Sequence, residues 1–473
     1  MYRSRLDEFK HIFHPKSIAV LGVSANGENA GTKFFKALLA AGFKGQVYAV
    51  NPTGGSVDDH EIYRDLKSIP GEVENVIVAV PARAIMDAMD DCITKGVRAA
   101  QVYTAGFRET GLDQGLRMEA ALVEKARSGG VLIVGPNCMG VYSPAVNLPY
   151  GMTPHIGKVG PVAFLSQSGG LGGLSLDMGM PRGLRFNKLV SFGNGSDLDS
   201  VDYLEYFAQD PDTTIIGAYL EGLRQGPRFL KVARQLFHKK PLIVWRGGRT
   251  EVGARAAASH TGSLASSYVL WSSAMRQAGA VRVDNVEEMV DTLLAFQQLG
   301  RWQGSGVAFV SGITGGGGGI GVTASDVLAG FGLKLPVLNE NTQKRLKSML
   351  AAVGTIVHNP LDVGGGSLPP DILHECFSAV LNDPAIDMLV FHERTSNFLQ
   401  LNYLTRVEAV NEILIRLRSS QSKPIAVVSI PGTEENGRQA LEKKLEQAGI
   451  PVFPTLDRAA AALRNLSNYW TRN

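Results

Sequence analysis

The chain has 473 residues, 44% hydrophobic and 19% charged, with a net charge of +3. Such a length exceeds one ordinary core and predicts about three domains. The charge is too small to indicate nucleic acid, no run of like charges forms an arm, and no apolar stretch reaches membrane-spanning length.

Residues 1–15, MYRSRLDEFKHIFHP, contain no apolar signal core. The three cysteines, Cys92, Cys138 and Cys376, lie far apart, so neither a disulfide framework nor a zinc site is indicated. A reducing cytoplasm, no membrane association and no metal site in this chain are the resulting expectations. Glycine, at 54 residues, is the outlier, and much of it follows apolar β-type runs, where main chain meets ligands.

In the first third, Ser17-Ile18-Ala19-Val20-Leu21-Gly22 is a short apolar run ending in a glycine turn, and residues 33–39 read as a helix. Strand-like runs follow at 47–50, 76–80, 100–103 and 131–134, separated by helical patterns. This alternation predicts a parallel sheet with helices on both faces and ligands at the carboxyl ends of the strands. Those ends carry Gly22, Val23 and Ser24, Asn51 and Pro52, Val80 and Pro81, and Asn137. NAD is disfavoured: no GxGxxG is present, and the second strand ends in Asn51-Pro52 where a ribose-binding acid would stand. Another nucleotide-like ligand fits better, and coenzyme A is one; glycine turns serving only the fold are the plainer reading.

The pattern restarts after residues 149–158. The strand Pro161-Val162-Ala163-Phe164-Leu165 runs into Ser166-Gln167-Ser168-Gly169-Gly170 and then a helical stretch. Hydroxyls and glycines between a strand and a helix N-terminus form an anion cradle. Later strands at 188–192, 215–219 and 242–245 complete a second sheet, and the one at 215 leads into Glu221. Beyond the strand at 242 comes Ala256-Ala257-Ala258-Ser259-His260-Thr261-Gly262-Ser263-Leu264-Ala265, one imidazole among residues of almost no bulk. Such a setting lets a phosphate approach a neutral imidazole, a nucleophile near pH 7, with Glu221 fixing its tautomer. Taken singly, His260 reads as an exposed loop histidine and Glu221 as a solvated strand-end charge; their convergence with the cradle on one sheet edge favours chemistry.

The third repeat opens with a strand at 306–311, followed by Gly312-Ile313-Thr314-Gly315-Gly316-Gly317-Gly318-Gly319 and a helical pattern. A glycine linker is the alternative, but fusion to a buried strand and a helix favours a second anion loop. Strands at 388–391 and 425–430, and the loop Asn359-Pro360-Leu361-Asp362-Val363-Gly364-Gly365-Gly366, complete it. His392 and Glu393 end a strand without an assigned role. No P-loop occurs.

In this order the residues resemble the α subunit of the ADP-forming acyl-CoA synthetases, kin of succinyl-CoA synthetase, over nearly the whole chain. Ser259-His260-Thr261-Gly262-Ser263-Leu264-Ala265 is similar to the family's phosphohistidine motif, and Glu221 falls where the family has the glutamate that orients it. The 160–170 segment resembles the strand and loop whose helix holds the phosphohistidine, and the turns at Gly22 and at Asn137 resemble CoA-domain loops. The resemblance implies three consecutive doubly wound α/β domains. A Rossmann-like CoA-binding domain (1–145) precedes two flavodoxin-like ligase domains (146–298 and 299–473).

Implied roles are catalysis by His260 and Glu221 and CoA binding by Gly22, Val23, Ser24, Asn51, Pro52, Val80, Pro81 and Asn137. Phosphate contacts fall to Ser166, Gln167, Ser168, Gly169 and Gly170, and to Thr314, Gly315, Gly316 and Gly317. The implied reaction links acyl-CoA, phosphate and ADP to a carboxylate, CoA and ATP through an acyl phosphate and phospho-His260. ATP or ADP with Mg2+ belongs on an ATP-grasp β-type partner, and an oligomer is expected. Two departures stand out: no ATP-grasp segment is present, and Ser266-Ser267-Tyr268 stands where the family usually has glycine, serine, aspartate. Both favour the alternative of a non-catalytic CoA- or acyl-CoA-binding protein on the same scaffold; the intact histidine motif speaks against it.

Overall fold

The computed structural model describes residues 7–237, 239–261, 267–313, 317–351, 353–364, 368–400 and 404–472, with the backbone alone at 258–261, 397, 398 and 400. Three sheets account for its strands. The first two lie in one compact unit, Met1–Met180 with Arg185–Met289, and the third in another, Pro181–Leu184 with Val290–Asn473.

The first sheet contains β1 (Ser17–Leu21), β2 (Gln46–Val50), β3 (Ser56–Val57), β4 (His60–Tyr63), β5 (Asn75–Val78), β6 (Ala99–Val102) and β7 (Leu132–Val134). They run in the order β3-β4-β2-β1-β5-β6-β7, parallel except for the β3–β4 hairpin. All five β1 residues are buried, as a strand covered on both faces requires. The second sheet comprises β8 (Gly140–Tyr142), β9 (Val162–Ser166), β10 (Phe186–Ser191), β11 (Ile215–Leu220), β12 (Leu242–Arg246) and β13 (Val281–Val283), ordered β13-β12-β11-β9-β10-β8. Its β8 is an antiparallel edge on β10 that the sequence reading did not contain. In the second unit, β14 (Val307–Ser311), β15 (Leu361–Asp362), β16 (Met388–Glu393), β17 (Ile425–Ser429) and β18 (Val452–Phe453) form a parallel sheet ordered β15-β14-β16-β17-β18.

One scheme recurs three times. A first buried strand is flanked on both sides by later ones, β1 by β2 and β5, β9 by β10 and β11, and β14 by β15 and β16. The chain direction therefore diverges at its carboxyl end, where α/β sheets open a crevice for ligands. Gly22, Gln167 and Gly312 are the first residues past those three strands.

The first unit has a continuous apolar core that crosses from the first sheet to the second. Phe9 and Phe13, flanking and ending a short N-terminal helix, stack on Tyr206 of the Ser200–Gln209 helix with ring centroids 4.8 and 5.3 Å apart. This N-terminal segment, which has no apolar signal core, thus straps the two sheets together. A separate core fills the second unit, where buried Asp291 is gripped by Arg182 and Arg458 at 2.7 and 2.6 Å.

Candidate active site

At the first sheet, Gly22 has φ +96°, and a Cβ there would lie 2.4 Å from the Ala79 carbonyl oxygen at the end of β5. Only glycine lets those two strand ends approach so closely. Asn29 caps the Ala30–Ala40 helix by accepting from Thr32 N at 2.9 Å, and donates through Nδ2 to the Gly22 carbonyl at 3.0 Å. The strand ends Gly22–Ser24, Asn51–Pro52 and Val80–Pro81 therefore lie side by side on β1, β2 and β5. Val23 is wholly buried, so its side chain belongs to the core and only its main chain can meet a ligand. Asn137 stands apart, beyond β7, in left-handed conformation, with Nδ2 3.5 Å from Asn194 Oδ1 of the second sheet's side.

Around that point the two domains are joined by polar contacts. Buried Glu119 accepts from Asn194 Nδ2 at 2.9 Å, from Ser196 Oγ at 2.5 Å and from the Arg108 guanidinium. Glu109 accepts from Asn194 Nδ2 at 2.6 Å and from the Gly106 and Phe107 amides. Burial works to raise the Glu109 carboxyl, but those donors outweigh it and hold it below the ordinary value. None of Glu109, Glu119 and Asn194 was singled out in the sequence; Gly193-Asn194-Gly195, a glycine-flanked turn following β10, is the one signal that could have done so.

At the second sheet, the anion cradle is built as strand, turn and helix. Ser168 caps the Gly169–Gly179 helix, its Oγ accepting from Leu171 N. Ser166 is completely buried and donates to the Ser168 carbonyl at 2.6 Å, so its hydroxyl shapes the turn and does not face a ligand. Gln167 turns its Oε1 to the Glu221 and Gly222 amides, accepting at 2.9 and 3.3 Å. The amides at the start of the helix, Gly169 and Gly170 among them, are what the cradle has to offer an anion.

Glu221, 7% exposed at the end of β11, accepts from the Tyr219 hydroxyl at 3.2 Å. Burial, then the Glu221 charge, raises the Tyr219 phenol, which keeps it a donor. Past β12, Gly247 and Gly248 make room for the next helix. A Cβ on Gly247 would fall 2.4 Å from Tyr219 Oη and 3.3 Å from Glu221 Cγ; one on Gly248 would fall 3.4 Å from Ala257 Cβ. The helix Glu251–Thr261, started by Thr250 Oγ1 accepting from Gly253 N at 3.1 Å, thus follows a glycine pair whose first member lies against Glu221 and whose second lies against Ala257.

His260 is in the last turn of that helix, not in a loop as the sequence suggested. The run Ala256-Ala257-Ala258 is a strong helix former, and it carries the helix through the histidine. Position 260 shares a face with Ala257, three residues earlier. The imidazole and residues 262–266 lie outside what the structure describes. On the far side, Ser267 is tied back to β12 by Arg246, and Tyr268 donates to Asp284 Oδ1 at 3.2 Å. A carboxylate, Asp284, thus adjoins the position where the family usually has aspartate.

In the second unit Gly317 opens the helix Gly317–Gly330, which replaces the linker alternative. Cβ atoms on Gly312 and Gly317 would meet the Asp362 carboxylate at 2.0 and 2.3 Å, so the strand end and helix start close around that residue. Thr314, Gly315 and Gly316, and Gly365 and Gly366 of the second loop, lie outside the described residues.

Family profiles described as a CoA binding domain, a succinyl-CoA ligase like flavodoxin domain and CoA-ligase match residues 16–144, 159–296 and 317–466. The chain is 34% identical over 453 residues to the acetate–CoA ligase [ADP-forming] II subunit alpha of Pyrococcus furiosus, covering 96% of each. The chain belongs to the ADP-forming acyl-CoA synthetase family. Its three sheets are those of the family: the Ca. Korarchaeum cryptofilum dinucleotide forming acetyl-coenzyme A synthetase 1, solved with phosphate and ADP, superposes with a TM-score of 0.83 at 32% identity, over 98% of this chain and 96% of that one. An ADP-forming synthetase of Archaeoglobus fulgidus, acetate–CoA ligase I, is 34% identical over 467 residues; these are 97% of this chain but 63% of that longer one. No helix among the described residues is long and apolar enough to cross a membrane.

Proposed function

We propose that the chain is the α-type subunit of an ADP-forming acyl-CoA synthetase and that His260 carries the phosphoryl group. A phosphate oxygen attacks the thioester carbonyl, CoA leaves as thiolate and takes a proton, and an acyl phosphate remains. The imidazole of His260 then attacks phosphorus and releases the carboxylate. ADP removes the phosphoryl group from the ring to give ATP and restore the imidazole. The chain's part is positioning and charge stabilisation, which helix-start amides and a buried carboxylate supply.

One observation carries this reading. Glu221, held by Gln167 and Tyr219, shares a carboxyl edge with the Ser168–Gly170 helix start and lies against Gly247, four residues before the helix that contains His260. In it Glu221 orients the imidazole, Gly169, Gly170 and Gly317 receive phosphate through their amides, and Gly22, Ser24, Asn51 and Val80 border CoA. The domains run 1–145, 146–298 and 299–473. The nucleotide, with its Mg2+, is held by an ATP-grasp β-type partner, which the subunit naming of the Pyrococcus relative supports. Three buried free thiols suit a reducing cytoplasm.

The test needs no partner. Intact mass is compared for the protein alone and after incubation with acetyl phosphate, or with an acyl-CoA and phosphate. An acid-labile phosphate adduct that His260→Ala loses is expected. No adduct across a panel of acyl-CoAs would leave a CoA-binding protein without transfer chemistry.

A further inference from the structure

We propose that a cavity between the Asp113–Ser128 helix and the turn after β11 is a second ligand site, taking a phosphate-bearing small molecule. The cavity has a volume of about 520 Å³. Arg108, Arg127 and Arg224 line it, three cations against the two carboxylates Glu119 and Glu124, and Leu116 and Ser196 are among the remaining wall residues. That size lies within the span of small-molecule sites and exceeds what orthophosphate alone would fill.

The cations are poorly answered by the protein itself. The Glu119 charge is committed to Arg108, Asn194 and Ser196. Arg127 spends Nε on Asp197 at 2.9 Å and is otherwise more than half exposed. Arg224 makes one hydrogen bond, from Nη1 to the Gly195 carbonyl at 2.5 Å, of the five its guanidinium can donate. Arg108 Nε is buried without any acceptor. Burial, then the nearby Arg108 charge, lowers the Arg224 guanidinium, with Asp199 and Glu119 offsetting this in part. Unused, fork-shaped donors crowded by like charge around an open cavity are what a phosphoryl group satisfies. The walls combine the Asp113–Ser128 helix of the first domain with Ser196 and Arg224 of the second, and none of Ser168, Gly169 and Gly170 lines the cavity.

Two sources share this chemistry, free inorganic phosphate and a nucleotide. Calorimetric titration of the full chain with inorganic phosphate, and separately with ADP in the absence of magnesium, distinguishes them. The wild type should show a site that Arg224→Gln weakens roughly tenfold or more, the loss of one charge-assisted hydrogen bond. Leu116→Glu, at a helix position 47% exposed, places a competing carboxylate at the mouth and should weaken the same site without threatening the fold. A variant-sensitive signal with phosphate alone identifies the free ion; one with ADP identifies a nucleotide. Isotherms that are the same in the wild type and both variants, for both probes, would overturn the proposal.

Discussion

Replacing Gln167 by leucine tests how the Glu221 turn is held. The substitution keeps volume and removes the one oxygen that accepts from the Glu221 and Gly222 amides, at 2.9 and 3.3 Å. A partly buried amide left without its acceptor costs about 1–3 kcal/mol, and the longer contact adds less, so a local loss of about 2–4 kcal/mol is expected. The chain has more than one compact unit, so a global unfolding curve would blur this loss. Hydrogen exchange reads it directly: the Glu221 and Gly222 amides should exchange about 30-fold faster or more in Gln167→Leu. Gln167→Glu keeps an accepting oxygen and should restore protection; Gln167→Asn, one methylene short, should not. On the proposed chemistry, a carboxylate displaced by about 1 Å slows formation of the His260 adduct by about 100-fold. Unchanged protection together with an unchanged adduct rate would refute the latch.

Gly22→Ala places a Cβ 2.4 Å from the Ala79 oxygen at a φ of +96°, and should cost about 2–4 kcal/mol and weaken CoA binding measured by calorimetry. Glu393 is raised to about 7 from an ordinary value of 4.5, first by burial and then by the Glu442 charge, with the Thr395 hydroxyl acting in the opposite sense. The folded state therefore holds a proton that the unfolded chain has lost between those values, and stability falls as pH rises through that window. Glu393→Gln, which mimics the neutral acid, should gain about 2–3 kcal/mol over the wild type at pH 8 and nothing at pH 4, in denaturant titrations at the two pH values. Asp291→Ala leaves Arg182 and Arg458 without their shared carboxylate, and should cost the second unit about 3–5 kcal/mol by tryptophan-monitored unfolding.

The parts legible in the sequence are those whose signal is local. β1, β9 and β14 are uninterrupted apolar runs ended by glycine or hydroxyl turns, and the structure buries every residue in each. Edge elements have no such signal: β8 has three residues and β3 two, and both owe their strand character to a neighbour. The N-terminal strap was illegible for the same reason, since Phe9 and Phe13 gain meaning only by stacking on Tyr206. Side-chain direction was the other loss. Ser166 and Val23 sit in the right turns, but one hydroxyl and one isopropyl group face inward, which spacing does not reveal.

The junction of the first two domains constrains how a phosphoryl group can travel. A shared apolar core, the Phe9–Phe13 strap and the buried Glu119–Asn194–Ser196 contacts all cross it. Opening it would unpair a buried carboxylate and expose core together, each a cost of several kcal/mol. The crevice at Gly22 and the Glu221 edge are thus fixed in one body, so on the proposed chemistry an acyl phosphate formed beside CoA needs no opening of this junction to approach Glu221. On the proposed chemistry the phosphoryl group must still reach a nucleotide on a partner, and the helix that contains His260 meets that body where Ala257 faces Gly248. On that chemistry a cross-link pinning Ala257 to Gly248 should leave the His260 adduct intact and stop only its transfer to ADP; transfer at the unchanged rate would refute any need for that helix to move.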